Sequence, residues 1–127
     1  MKPPAFDYVR ADTADEAVEL LAQYGEDARV LAGGQSLLPM LNMRLAQPRL
    51  LIDISRCAEL AYVRCNGALE VGAAVTQATL ERRATLTAES ALLAQALPHV
   101  AHSQIRSRGT VCGSIVHAEP SAELPLV

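Results

Sequence analysis

The chain has 127 residues, half of them hydrophobic, and a formal net charge of −3, which suits one small globular unit with its own core. The scattered charge, with no basic block, excludes an electrostatic nucleic-acid binder. No apolar run approaches the roughly 20 residues needed to span a bilayer.

With one Phe, three Tyr and no Trp, the interior must be filled by Leu, Val and Ala. Cys57, Cys65 and Cys112 are odd in number and widely spaced, unlike a secreted disulfide framework, and no C-x-x-C pair offers zinc or iron–sulfur ligands. Met1-Lys2-Pro3-Pro4-Ala5 has no apolar stretch behind its charge, so no secretory signal is read. These features point to a reduced, cytoplasmic, soluble protein.

In chain order, Phe6 to Arg10 reads as a short extended entry. Thr13 and Glu16 form a Thr-x-x-Glu capping box. Ala14, Ala17, Val18 and Leu21 then fall on one helical stripe, and Gly25 is placed as a left-handed cap. Arg29 to Ala32 reads as a strand, Ser36 to Leu45 as a helix after Gly33-Gly34, and Leu50 to Ile54 as a strand buried on both faces. Residues 5–55 thus read as β-α-β-α-β.

The second half opens on a hairpin, Tyr62 to Cys65 and Ala68 to Val71, around the turn pair Asn66-Gly67. Thr76 caps a helix to Arg83. A longer pattern follows with Leu93, Ala96, Leu97 and Val100 on one face, broken or kinked at Pro98. After Gln104 the composition reads as loop. A boundary near Ser55 divides subdomains 1–55 and 56–127. With no closing element before Val127, the second subdomain is expected to continue past it.

The first informative segment is Val30-Leu31-Ala32-Gly33-Gly34-Gln35-Ser36-Leu37-Leu38-Pro39. A strand runs into two glycines and a helix begins at once. Glycine permits positive φ and leaves no side chain between backbone and ligand. The first N–H groups of a helix suit a phosphate, and Ser36 can cap the helix or meet a phosphate oxygen. A plain strand–turn–helix connection capped by Ser36 fits the same residues. Neither the Gly-x-Gly-x-x-Gly nor the Gly-x-x-x-x-Gly-Lys spacing is present.

The second segment is Ile105-Arg106-Ser107-Arg108-Gly109-Thr110-Val111-Cys112-Gly113-Ser114. Its glycines and hydroxyls beside two arginines can wrap an anion, or form a surface loop with solvated arginines. His99, His102 and His117 lack a fourth ligand and a regular scaffold across Pro98, so no metal site is assigned.

Together and in this order, the two segments resemble the FAD-binding (medium) subunit of the molybdenum hydroxylase family, the medium chains of xanthine dehydrogenase and carbon monoxide dehydrogenase. Leu31 to Pro39, followed by Met43-Arg44-Leu45 and Pro48, is similar to the family's first flavin motif. Ile105-Arg106, Arg108-Gly109-Thr110-Val111 and Gly113-Ser114 resemble the second. The opening Phe6-Asp7-Tyr8 also fits, so the likeness spans the chain and corresponds to the N-terminal part of such a subunit.

The resemblance implies an α+β fold of two FAD-binding subdomains, of the kind shared by p-cresol methylhydroxylase-like flavoproteins and incomplete here. By matching position it implies that Ala32, Gly33, Gly34, Gln35 and Ser36, with Leu37, hold the FAD pyrophosphate. Thr110, Val111, Cys112, Gly113 and Ser114 would approach the pyrophosphate and flavin, and Glu123 the ribose or adenine end. It also implies partners: a large molybdenum-cofactor subunit, a small iron–sulfur subunit and an external electron acceptor. The flavin performs the redox step while the protein binds and orients it, so no catalytic acid or base is assigned.

One departure stands out. Cys112 occupies the first position of the family's usual Gly-Gly. Cysteine there is strained if the position needs positive φ and harmless if it needs only a small side chain. Three other readings remain: a truncated fragment that does not retain flavin, a stand-alone flavin oxidoreductase on the same fold, and a non-redox nucleotide-binding module.

Overall fold

The first strand, β1 (Asp7–Arg10), leads into α1 (Ala14–Tyr24) through a Thr13 cap. The Thr13 hydroxyl accepts the Glu16 N–H at 3.1 Å, while the Glu16 carboxylate accepts from the Asp12 N–H at 2.8 Å. The reciprocal bond of the capping box therefore falls one residue earlier than the motif implies. Ala17 is buried and Leu20 and Leu21 pack on the core, but Val18 is 61% exposed. The apolar stripe is rotated relative to the sequence expectation, because the sheet lies on the Ala17–Leu21 side. Gly25 ends α1 with φ +53 and ψ −127, a conformation that favours glycine, and its N–H bonds the Leu21 carbonyl.

The computed structural model, which describes residues Met1–Val127, continues with β2 (Ala28–Leu31), α2 (Leu37–Asn42) and β3 (Leu50–Asp53). The three strands form a parallel sheet in the order β1-β3-β2, with Asp7 and Ala28 both in register with Leu50. Leu50, Leu51 and Ile52 are all buried although successive side chains face opposite ways, so the central strand is covered on both faces. Each such side chain contributes about 1.5–3 kcal/mol on burial.

The second half begins with the hairpin β4 (Val63–Cys65) and β5 (Leu69–Val71). Cys65 pairs with Leu69, leaving three turn residues, of which Gly67 alone has positive φ, +83. A two-residue I′ turn would need positive φ at Asn66 as well. Then come α3 (Gln77–Glu81), α4 (Leu86–Glu89) and α5 (Ala91–Ala96). Pro98 lies in a 3-10 turn, Leu97–His99, that ends the run.

The stretch after Gln104 is not a loop. Helix α6 spans Ser103–Arg106 and α7 spans Val111–His117. Glycine and hydroxyl content argued against helix, but Thr110 caps α7 by accepting the Gly113 N–H at 3.0 Å, and Val111 is buried in the core. Capping and tertiary burial override intrinsic propensity here.

Two apolar clusters result. One gathers Ala11, Ala17, Ala28, Leu50, Ile52, Ile54 and Cys57 around the sheet. The other gathers Val75, Leu80, Leu86, Leu97, Val100, Val111 and Leu124 among the helices.

Candidate cofactor cleft

A cleft of about 300 Å³ lies where the two halves meet. Leu31, Ala32 and Gly33 reach it from the end of β2, and Asp53, Ser55 and Arg56 from the end of β3. Ala74 and Thr76 enter from the segment before α3, and Ser107, Arg108 and Thr110 from the second motif. Ligands of open parallel sheets bind outside the carboxyl ends of the strands, which is where this cleft sits.

Leu31, Ala32 and Gly33 of the first motif line the cleft, and Gly34, Gln35, Ser36 and Leu37 continue the chain outside its lining. The backbone N–H groups of Ala32, Gly33, Gly34, Gln35, Ser36 and Leu37 find no acceptor within the chain, a run of six donors. Gly34 turns this run with φ +72. The Gln35 side-chain amide folds back onto the Gly33 carbonyl at 3.1 Å. The Ser36 hydroxyl makes no capping hydrogen bond in α2. Consecutive donors with no internal acceptor fit a phosphate oxyanion.

The second motif supports the first. A Cβ built on Gly33 would stand 2.2 Å from the Arg108 carbonyl oxygen and 2.8 Å from the Gly109 Cα. Gly33 is therefore needed for close approach of the two backbones. The second motif is itself tied down: the Gln77 N–H bonds the Gly109 carbonyl at 2.8 Å, and the Val111 N–H bonds the Val75 carbonyl at 3.2 Å. Arg106 grips Glu81 with two nitrogens, at 2.9 and 3.2 Å, and donates to the Val100 and Ala101 carbonyls. It is a structural strut between α6 and α3, so Arg108 is the arginine of this motif that faces the cleft.

The five matched residues from Thr110 to Ser114 do not converge on one point. Thr110 lines the cleft, while Val111 and Cys112 line a second, apolar cavity of about 340 Å³ with Leu69, Leu93 and Ile115. Cys112 lies in α7 outside the positive-φ residues, with Sγ 3.3 Å from the Val71 carbonyl, and burial pushes its thiol pKa up. Its fit is thus a question of side-chain volume. A Cβ on Gly113 would come within 2.6 Å of Thr110 Oγ1, so that glycine makes room for the cap. Gly113 is exposed and Ser114 half-buried, both outside the cleft lining. Glu123 is exposed at the start of the last helical turn, Leu124–Leu126, and does not line the cleft.

Asp53, Ser55 and Arg56 were not found from motifs. Their signal was positional, since they follow the central strand at the sheet's carboxyl edge. Asp53 accepts the Ser55 N–H at 2.8 Å and the Tyr8 hydroxyl. Burial alone would raise its pKa, but the Tyr8 and Ser55 hydrogen bonds and the Arg10 charge outweigh it, so the carboxyl lies below its ordinary value. Tyr8 moves the opposite way, raised by its hydrogen bond to Asp53, by desolvation and by that carboxylate's charge.

Residues 4–127 fit the family model of the FAD binding domain in molybdopterin dehydrogenase. The chain is 47% identical to the 6-hydroxypseudooxynicotine dehydrogenase complex subunit alpha of Paenarthrobacter nicotinovorans, covering 100% of this chain and 43% of that one. It is similar in structure to carbon monoxide dehydrogenase from Hydrogenophaga pseudoflava, with TM-score 0.93 and 44% identity over 98% of this chain and 44% of that one. Quinoline 2-oxidoreductase from Pseudomonas putida 86 superimposes with TM-score 0.92 and 42% identity over the same shares. The chain spans less than half the length of the curated relatives it matches. By family model, relatives and fold alike, the chain belongs to the FAD-binding domains of the molybdopterin dehydrogenases, the medium subunits of the molybdenum hydroxylase family, and its cofactor is FAD.

Proposed function

We propose that the chain acts within an electron-transfer component, taking electrons from iron–sulfur clusters and handing them through FAD to an external acceptor. The observation that carries the reading is the run of six unpartnered N–H donors, Ala32 to Leu37, which begins in the lining of a cleft walled by the second motif. In this reading those donors and the Ser36 hydroxyl hold the pyrophosphate. Thr110 closes the opposite wall, and the segment through Ser114 and Glu123 borders the rest of the cofactor. The bound flavin supplies the redox chemistry. The protein's own part is to bind, orient and shield, and the division into subdomains 1–55 and 56–127 gives it two walls to do so.

Relatives named as subunits of dehydrogenase complexes support two partners, a large subunit with the molybdenum cofactor and a small iron–sulfur subunit. No helix is long and apolar enough to cross a membrane. The test is co-expression of the complete gene product with candidate large and small subunits. The expected result is a yellow complex with one FAD per chain, whose flavin is reduced when the substrate of the large subunit is added. A folded complex without flavin, or flavin reduction that needs neither partner, would overturn the reading.

A further inference from the structure

The chain has ten arginines, and four of them are held in ion pairs: Arg10 with Asp12, Arg49 with Asp27, Arg83 with Glu89 and Arg106 with Glu81. Two others line the cofactor cleft from different walls, Arg56 after β3 and Arg108 in the second motif. Neither guanidinium makes a salt bridge within the chain, and neither donates a side-chain hydrogen bond. Asp53, the acid of the same lining, has its oxygens engaged by the Tyr8 hydroxyl and the Ser55 N–H. The cleft therefore presents two cations without an ion-pair partner against one carboxylate, and the run of six unpartnered amide donors begins in its lining at Ala32 and Gly33.

We propose that Arg56 and Arg108 form a two-sided clamp on the pyrophosphate of the bound dinucleotide, supplying its countercharge while the Ala32–Leu37 amides supply its geometry. The inference rests on the cofactor cleft being the FAD site. Guanidinium groups suit this role because they stay charged and present several donors to phosphate oxygens. The division of labour follows from placement. The amides belong to one backbone segment and fix where the phosphates lie. Arg56 follows β3 and Arg108 lies in the second motif, so closing both on one anion also ties these two distant segments together.

The test uses the complete gene product with Arg56→Ala, Arg108→Ala and the charge-keeping Arg56→Lys. FAD and riboflavin, which lacks phosphate, are titrated by flavin fluorescence. Each alanine variant is expected to weaken FAD about tenfold, equivalent to about 1.4 kcal/mol, with riboflavin affinity unchanged. Arg56→Lys should recover most of the loss, and added salt should weaken wild type more than the variants. Unchanged FAD affinity in both alanine variants would overturn the clamp, as would equal weakening of FAD and riboflavin, or a lysine variant no better than alanine. Wild-type protein that binds no FAD would instead overturn the assignment of the cleft itself.

Discussion

Gly33 and Arg108 meet backbone to backbone: a Cβ on Gly33 would fall 2.2 Å from the Arg108 carbonyl oxygen. Because the obstructing atoms are main chain, they cannot rotate aside. Gly33→Ala is expected to cost about 3 kcal/mol, the upper end for forced backbone shifts, and to lose FAD as the two motifs part. Gly34→Ala meets only the Leu31 and Leu38 side chains at 3.1 Å, and its main penalty is the left-handed φ of +72, about 1–2 kcal/mol. Urea denaturation and bound-flavin ratios should rank Gly33→Ala below Gly34→Ala. The reverse order would show that the turn matters more than the contact.

Arg106 belongs to the flavin motif by sequence but to the framework by contact. Its guanidinium side chain is 12% exposed, with four hydrogen bonds to Glu81, Val100 and Ala101. Lysine cannot reproduce the two-pronged grip. Arg106→Lys should lower unfolding free energy by about 2–3 kcal/mol, less than a fully buried pair because Glu81 is partly exposed. The FAD affinity of the folded fraction should stay at the wild-type value, and a variant of normal stability that loses FAD would place Arg106 in the site instead.

Cys112 sits in the first turn of α7 and faces Val71, not the cleft. Cys112→Gly is therefore expected to keep FAD and to lose about 1 kcal/mol of stability through helix propensity and lost contact. Alkylation kinetics give a second check. Exposed Cys65 should react first, half-buried Cys112 slowly, and buried Cys57 only on unfolding. Loss of flavin from a folded Cys112→Gly protein would assign the thiol a direct role.

The Tyr8–Asp53 bond ties β1 to β3 at the cleft edge and should depend on pH at both ends. Asp53 has a depressed pKa, so its contribution is present above the unfolded carboxyl value and lost as pH falls through the lower folded one. Tyr8 has a raised pKa, so its contribution is present below the unfolded phenol value and lost as pH rises through the folded one. Wild type should therefore exceed Tyr8→Phe in melting temperature at neutral pH, with the gap narrowing in strong acid and in strong alkali. A gap that does not change with pH would mean the hydroxyl acts by packing alone.

The sequence by itself determined the family and those elements whose signals are local. Thr13 and Thr76 announce their helices because capping is a contact between residues three apart. Leu50 to Ile52 announce a doubly covered strand because burial on both faces requires an unbroken apolar run. Tertiary structure decided what each motif residue does. Arg106 and Arg108 look alike in the sequence, and only the nearness of Glu81 makes one a strut and leaves the other facing the cleft. Gly33 and Gly34 are adjacent in the motif, yet one is needed for a neighbour 75 positions away and the other for its own φ. Asp53 and Arg56 carry no motif, and parallel pairing of β3 between β1 and β2 brings them to the cleft. Helix α7 was hidden for the same reason, since its stability lies in the burial of Val111 against residues far away in sequence. Contacts between distant residues leave no local pattern, and these roles depend on such contacts.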